Sequence, residues 1–287
     1  MRPIYTVRNG QEATQAAQAV PAMPFGRVLA RAVAPLVRPG RLADLYLARG
    51  HRSVTEGRAA RAVRFEIAER CLREHLVTEI DPSRLRHELV DVVHDGERPV
   101  RLSQWFMDGG DWTGALRPLE TSEVQKEIDA LFDHADSLER SPAFRSLVAR
   151  GEAGSPAERN RVSLTTPALV RSYFRQYDDL RRSIERDGFR RRAGVPAETA
   201  RLFAGTAVRN RAAENAEREI GIAIGADGTP VRMTGGRHRT AIAQRLRLPR
   251  IPVQVRLVHA AWLDAWVART GLPLRRALIA GLRDVAS

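Results

Sequence analysis

The chain has very little of several residue types on which common folds and sites depend. Cys71 is its only cysteine, so no disulfide framework can form within the chain. Lys126 is its only lysine and follows Gln125, which excludes a glycine-lysine phosphate loop. No run approaches the roughly 20 apolar residues of a membrane-spanning helix, and no signal peptide is visible. We therefore expect no membrane span and a cytoplasmic protein.

Positive charge is abundant, but it is dispersed. The formal net charge is +13, nearly all of the cations are arginines, and they lie in mixed-charge segments such as residues 58–73. A compact basic block would predict a nucleic-acid-binding tail, whereas dispersed charge is typical of solvated helix faces.

The N-terminal half is predicted to be mainly helical. Residues 1–22 have the composition of a disordered segment. Residues 23–160 have helical patterns, including an amphipathic segment from Phe25 to Leu47 that we expect to pack on its own domain. Arg61 to Leu76 carries apolar residues at helical spacing, which predicts a helix with one core face.

One part of this half has a different pattern. Residues 100–106 alternate as a strand does and lead into an acidic turn from Asp108 to Asp111, flanked by tryptophans. Carboxylates beside glycines can help to hold Mg²⁺ or a substrate hydroxyl. A plain turn with its tryptophan in the core is the favoured interpretation.

Histidine spacing gives little support for a protein-built metal site. His87 begins His-Glu-Leu-Val-Asp, and Asp91 stands where a zinc-binding HExxH motif needs its second histidine. His94 would share a helical face with His87, but residues 89–93 are equally compatible with a strand. We predict no metal site made of side chains alone.

Residues Ile222 to Val255 carry the strongest functional pattern. An apolar strand is followed by a Gly-Gly turn, a basic helix start and a second apolar strand, Ile251 to Val255. Gly235 and Gly236 can adopt conformations closed to other residues, and a helix that begins at Arg237 points N–H groups and its positive dipole end outward. Anions bind at such helix starts. A solvated helix start without a ligand is the structural alternative.

Basic and hydroxyl side chains line this turn. Arginine binds phosphate oxygens in a bidentate fork, and histidine can carry or pass a proton near neutral pH. The predicted phosphate-binding residues are Gly235, Gly236, Arg237, His238, Arg239 and Thr240.

This pattern resembles the ParB/sulfiredoxin superfamily. The similar features are the turn Gly236 to Arg239, an alanine-rich helix through Leu246, the strand Leu248 to Val255, and the upstream helix Tyr177 to Phe189. The resemblance covers about residues 165–260. It implies a small α/β domain with a mixed sheet that binds a nucleoside triphosphate.

Departures from the family narrow the activities that the resemblance implies. Sulfiredoxins have a catalytic cysteine directly after the glycine of this turn, where the chain has Arg237, so thiol chemistry is excluded there. Partition-type ParB proteins have a further arginine at the position of Ala241, and DNA-binding and dimerisation domains that the short sequence after Ala260 does not accommodate. What remains is a phosphotransferase similar to the free-serine kinases of this fold, or a nucleotide-binding regulatory module.

In the kinase interpretation, the turn holds the phosphates of ATP or CTP with Mg²⁺, and an acidic side chain takes a proton from a small hydroxyl substrate. Glu219, which opens an apolar strand, is favoured over Glu214, Glu217 and the turn residue Asp227. His238 is the second catalytic candidate. A strand-end carboxylate paired with an arginine is the structural alternative for Glu219.

The expected fold is therefore α/β (α+β). A mainly helical N-terminal region precedes a ParB/sulfiredoxin-like mixed-sheet domain at residues 161–260, and helices follow at 261–287. An insertion at 190–218 is a candidate lid, with Arg209 and Arg211 reaching the phosphates.

Two other functional classes stay open. One is a nucleotide-regulated DNA-binding module, which the dispersed charge and the lack of a recognisable helix-turn-helix disfavour. The other is a non-catalytic scaffold. The sequence does not indicate an oligomeric state.

Overall fold

The computed structural model describes residues 3–7, 40–159, 162–191 and 219–286. Their α-helices are α1 (Arg41–Thr55), α2 (Phe65–Leu72), α3 (Glu123–Asp133), α4 (Pro142–Glu152), α5 (Pro167–Asp187), α6 (Arg237–Arg245), α7 (Ala260–Thr270) and α8 (Leu274–Val285). Their strands are β1 (Tyr5–Thr6), β2 (Arg61–Arg64), β3 (Val77–Ile80), β4 (His87–Leu89), β5 (Val92–Asp95), β6 (Arg98–Arg101), β7 (Trp105–Asp108), β8 (Leu116–Pro118), β9 (Glu158–Arg159), β10 (Val162–Ser163), β11 (Ile220–Ile224), β12 (Pro230–Thr234) and β13 (Ile251–His259). This mixture of helices and sheets agrees with the predicted α/β class.

The described residues form two compact units. The first unit takes its residues from Met1–Pro118, Ile220–Thr234 and Val253–Ser287. The second takes its residues from Leu119–Glu219 and Gly235–Pro252.

An eight-stranded mixed sheet is the main element of the first unit. Its order is β2-β7-β13-β11-β12-β4-β8, and β3 pairs with β13 outside this path. β11 runs parallel to β13 and antiparallel to β12. Because β11 is buried along its whole length, its sequence is a continuous apolar run rather than an alternating one. The apolar strand predicted to open at Glu219 and the strand predicted at 251–255 are confirmed, as is the turn that contains Asp227.

A smaller antiparallel sheet, β1-β5-β6, belongs to the same unit. Tyr5 of β1 is fully buried, and it packs in a cluster with Trp112, Val231, Met233 and Leu257. The N-terminal strand therefore contributes to the core of the first unit.

The prediction that residues 23–160 are mainly helical is wrong between Arg61 and Pro118, where seven strands lie. The helix predicted from Arg61 to Leu76 is divided into β2, α2 and a 3-10 turn, Arg73–Leu76. β2 exists because it pairs antiparallel with β7, which is distant in the sequence. Strands of three or four residues are too short to show a clear period of two. Only residues 100–106 showed a strand pattern, and they include the end of β6 and the start of β7.

The second unit is built on α3, α4, α5 and α6, with the short antiparallel pair β9 and β10. At the start of α5 the Thr166 hydroxyl accepts a hydrogen bond from the backbone N–H of Leu169. The helix ends at Gly188, whose φ is 76°. Its buried face contributes Tyr173 and Phe174 to a core that also includes Ile242 of α6.

The predicted domain at 161–260 differs from the observed division. β11, β12 and most of β13 belong to the first unit. β12 pairs with β4 and β13 pairs with β7, both strands of the N-terminal region, and β11 lies between β12 and β13. Helices α7 and α8 agree with the prediction for 261–287. The predicted disordered segment at 1–22, apart from residues 3–7, and the insertion from 192 to 218 lie outside the described residues.

No helix within the described ranges is both long enough and apolar enough to cross a membrane.

Candidate phosphate-binding turn

The turn that leads into α6 has the backbone geometry that the Gly-Gly pair predicts. Gly235 has a φ of 63° and Gly236 a φ of 61°, both in the left-handed region that glycine occupies without strain. Gly236 is the N-cap residue of α6, and Arg237 begins the helix as expected. The N–H groups of a first helical turn lack acceptors within their own helix, so the start of α6 attracts an anion.

Thr240 stabilises this helix start from inside. Its backbone N–H donates to the Gly236 carbonyl oxygen at 2.8 Å, and its hydroxyl Oγ1 donates to the same oxygen at 3.0 Å. The residue is 1 % exposed. The Thr240 hydroxyl hydrogen is therefore directed to the helix backbone, although Thr240 was predicted as a phosphate ligand.

The two predicted arginine ligands differ in their surroundings. Arg237 is exposed. Arg239 lies with its guanidinium NH1 3.8 Å from Oε2 of Glu219, and the two side chains are 14 % and 10 % exposed. The Glu219 carbonyl oxygen lies 3.9 Å from the position that a Cβ at Gly235 would take. The structure thus brings Glu219 and Arg239 together beside the turn, and the predicted alternative for Glu219, pairing with an arginine, is observed.

His238, by contrast, contacts two tyrosines of α5. Its imidazole stacks on the Tyr177 ring with centroids 3.7 Å apart, and its Nε2 lies 2.7 Å from the Tyr173 hydroxyl. The tyrosines are four residues apart and so share one face of the helix.

Behind Tyr173 lies an ion pair. The Tyr173 hydroxyl donates to Oε2 of Glu127, and the Arg159 guanidinium donates to both oxygens of the same carboxylate. Glu127 is 3 % exposed. We call these residues the His238 network: Glu127, Arg159, Tyr173, Tyr177 and His238.

The electrostatics of His238 differ from the sequence-based expectation. Burial, with the positive charges of Arg159 and Arg237, lowers the pKa of His238 to about 3. The imidazole is therefore neutral at physiological pH and adds no charge to an anion site. Proton exchange near neutral pH, which the sequence suggested for this histidine, does not fit this environment.

The sequence interpretation missed four members of this network: Glu127, Arg159, Tyr173 and Tyr177. The sequence pattern could have revealed Glu127, because this residue lies on the apolar stripe of α3 beside Ile128 and Leu131. A carboxylate on a buried stripe needs a partner. The two tyrosines gave a weaker indication, because Tyr173 lies four residues before Tyr177, the first residue of a predicted helix. No local pattern marks Arg159.

The acidic turn after β7 is structural. The Asp108 carboxylate is fully buried and accepts from the Tyr5 hydroxyl, the backbone N–H of Gly110 and Nε1 of Trp112. Burial raises the pKa of Asp108, and these hydrogen bonds act in the opposite direction. Trp112 is buried, as the favoured interpretation expected.

His87 lies in β4 and His94 in β5, so the two histidines do not share a helix. In the part of the chain that the structure describes, no group of three or more His, Cys, Asp or Glu side chains is placed to hold a metal ion.

Neither a protein-family model, nor a curated protein, nor a solved structure matches the chain. The resemblance to the ParB/sulfiredoxin superfamily therefore stays a prediction that rests on the sequence pattern. Four further predicted residues, Arg209, Arg211, Glu214 and Glu217, lie outside the described ranges.

Proposed function

We propose that the chain binds the phosphates of ATP or CTP at the turn from Gly235 to Thr240 and transfers the terminal phosphate to a small hydroxyl compound. The observation that carries the proposal is the pair of left-handed glycines directly before the helix start at Arg237. Two consecutive residues without a Cβ let the backbone approach a phosphate closely.

The charges around the turn support an anionic ligand. The exposed guanidinium of Arg237 can bind phosphate oxygens in a fork, and the helix dipole of α6 adds to the attraction. Arg239 has five N–H donors, so it can reach a phosphate oxygen while one N–H group stays near Glu219. His238 is neutral and takes no part in this attraction.

The donors beside the turn also fit a magnesium ion that is bound mainly through the nucleotide. Magnesium in phosphotransfer sites is usually held by phosphate oxygens, water and only one or two carboxylates. In this proposal Glu219, whose Oε2 lies 3.8 Å from the guanidinium NH1 of Arg239, supplies such a carboxylate. Mg²⁺ would neutralise charge on the phosphate oxygens, and no cage of protein ligands is required for that.

Glu219 is the proposed proton acceptor. Its carboxylate lies near Arg239, and it therefore stands next to the group that would hold a phosphate oxygen. A hydroxyl that attacks phosphorus must lose its proton, and a positioned carboxylate can take it. Because phosphoryl transfer depends mainly on positioning and charge, one carboxylate beside the phosphate site is sufficient.

Thermal unfolding with a panel of nucleotides tests the binding step. A ligand present at 100 times its Kd stabilises the folded state by about 2.7 kcal/mol. We expect ATP or CTP with Mg²⁺ to raise Tm, and Arg237→Ala to remove the increase. Arg247→Ala, an exposed arginine just beyond the other end of α6, is the matched control and should keep it. No shift with ATP, CTP or GTP at millimolar concentration would refute nucleotide binding.

A transfer assay separates catalysis from binding. We expect labelled terminal phosphate from the nucleotide that shifts Tm to appear on a hydroxyl compound such as L-serine or glycerol. Stabilisation by the nucleotide without transfer or hydrolysis would contradict the enzymatic part. Salt-sensitive DNA binding that changes with the nucleotide would then favour the regulatory module.

A further inference from the structure

The hydrogen atoms of the His238 network can be assigned from its contacts. Both carboxylate oxygens of Glu127 accept hydrogen bonds from the Arg159 guanidinium, so Glu127 is the acceptor and not the donor in its contact with Tyr173. The single hydroxyl hydrogen of Tyr173 therefore points to Glu127. Burial and the nearby Glu127 charge raise the pKa of Tyr173, so the phenol keeps that hydrogen.

This assignment determines the tautomer of His238. The Tyr173 oxygen has no second hydrogen, so the 2.7 Å contact requires His238 Nε2 to be the donor. A neutral imidazole carries one N–H, and Nδ1 must then be a bare acceptor. Among the described residues, no group donates to Nδ1. His238 itself is only partly buried.

An imidazole of this kind cannot bind a phosphate as a donor. Phosphate oxygens of a nucleotide are acceptors, and the only donor of the neutral ring is directed to Tyr173. A bare nitrogen facing a phosphate oxygen would place two lone pairs together. The partner that suits Nδ1 is a group with a hydrogen to donate, such as a hydroxyl.

We propose that Tyr173 and Glu127 are positioning residues that hold His238 with its hydrogen on Nε2, so that Nδ1 accepts a hydrogen bond from a ligand hydroxyl. The proposal rests on the proposed function, because the ligand is placed at the turn that begins α6. In this proposal His238 binds a hydroxyl group of the ligand and is no longer one of the phosphate-binding residues. The hydroxyl belongs either to the ribose of the nucleotide or to the acceptor substrate.

The ring is held at two points, which suits a directional contact. Stacking on Tyr177, with an interplanar angle of 10°, sets the plane of the imidazole. The Nε2 bond to Tyr173 sets its rotation within that plane. Arg159 in turn anchors Glu127 through a guanidinium fork. Nδ1 therefore has a defined direction before any ligand binds.

Nitrogen NMR of the His238 ring in the free protein tests the positioning role without any nucleotide. We expect Nδ1 to be unprotonated in the wild-type protein, and Tyr173→Phe to give a mixture of tautomers. Tyr177→Phe, which keeps the stacked ring and removes only a hydroxyl, should leave the tautomer unchanged. Glu127→Gln replaces Tyr173→Phe if the latter does not fold. A protonated Nδ1 in the wild type, or an unchanged tautomer in the Tyr173→Phe and Glu127→Gln proteins, overturns the proposal.

Ligand affinities identify the hydroxyl. If it is the ribose hydroxyl, 2′,3′-dideoxy-ATP should bind about five- to tenfold more weakly than ATP, the worth of one neutral hydrogen bond, and Tyr173→Phe should remove the difference. If it is the acceptor hydroxyl, the two nucleotides should bind equally. Tyr173→Phe should then raise KM for L-serine or glycerol by a similar factor, with a smaller effect on kcat.

The outcomes separate the two proposals. If neither nucleotide discrimination nor acceptor KM depends on Tyr173, the hydroxyl contact is refuted although the nucleotide binds. If no nucleotide changes Tm, the proposed function is refuted. If NMR of the free protein nevertheless shows that Nδ1 of His238 is unprotonated, the positioning of His238 by Tyr173 and Glu127 is supported.

Discussion

The imidazole of His238 lies parallel to the phenol ring of Tyr177, with ring centroids 3.7 Å apart. Both rings belong to the second unit, and the contact covers one face of the histidine. Burial of this kind disfavours the charged imidazolium. The neutral state of His238 therefore makes the folded protein sensitive to acid, at a residue that the sequence marked as a phosphate ligand and a catalytic candidate.

The first prediction concerns the pH dependence of stability. The pKa of His238 is depressed in the folded protein to about 3, from 6.5 in the unfolded chain, so the unfolded chain binds the proton first as pH falls. The stability from the neutral ring is complete above pH 6.5 and decreases as pH falls towards 3, by up to about 1.4 kcal/mol per pH unit. Urea unfolding between pH 7 and about pH 5 measures this loss, because most carboxylates change their charge only below that interval.

The non-titrating variant His238→Gln is the control for that measurement. Its free energy of unfolding should fall less steeply over the same interval, because the remaining histidines titrate equally in both proteins. Parallel pH profiles for the two proteins would show that the folded-state pKa of His238 is not depressed.

The second prediction concerns the backbone of the turn. The space beside Gly235 is open, since the nearest atom to an added Cβ is the Glu219 carbonyl oxygen at 3.9 Å. Gly235→Ala should therefore destabilise through its φ of 63° alone, by about 1–2 kcal/mol. Gly235→Asn should cost less, because asparagine adopts left-handed conformations more readily. Chemical denaturation checks this order, and an alanine variant as stable as the wild type would contradict it.

The third prediction concerns the buried hydroxyl of Tyr5. That oxygen donates to Asp108 and accepts from Arg61, so Tyr5→Phe removes two hydrogen bonds and leaves buried polar groups with fewer partners. We expect a loss of about 1–3 kcal/mol in the free energy of unfolding. Tyr46→Phe is the control, because the Tyr46 hydroxyl accepts only a long bond, 3.4 Å, from the Arg64 backbone N–H. Equal losses of unfolding free energy in both variants would show that the contact with Asp108 stabilises the fold no more than the long Tyr46 bond does.

The fourth prediction separates the two roles of Glu219. If it accepts the substrate proton, Glu219→Gln should lower phosphate transfer by about 10²-fold or more, with nucleotide affinity largely retained. Glu158→Gln, an exposed glutamate of the same unit, should have no effect. If Glu219 only pairs with Arg239, the glutamine variant should transfer phosphate normally and bind the nucleotide as well or better. Steady-state kinetics with binding measurements distinguishes these results.

The parts of the site that the sequence predicted correctly are local. Gly235 and Gly236 adopt the left-handed conformations expected of them, and α6 begins at Arg237. These features depend on the conformational range of one residue and on hydrogen bonds to neighbours three or four positions away. Such information is present in a short window of sequence.

The division into units was not predictable in the same way. β2 pairs with β7, and β12 pairs with β4, through partners far apart in the chain. Strand pairing of this kind depends on remote residues, and short strands buried in a mixed sheet show no regular alternation. For this reason helices were expected over most of the segment between Arg61 and Pro118, and only residues 100–106 showed a strand pattern.

The amino-acid sequence alone determined the turn at Gly235 and Gly236, the basic helix start and the α/β class, because backbone preferences act over a few residues. Only the tertiary structure decided the chemical state of His238. That state depends on Tyr173, Glu127 and Arg159, which come from three separate elements of the second unit. Burial and the direction of each hydrogen bond are properties of packing, so no local motif could show that this histidine is a neutral acceptor.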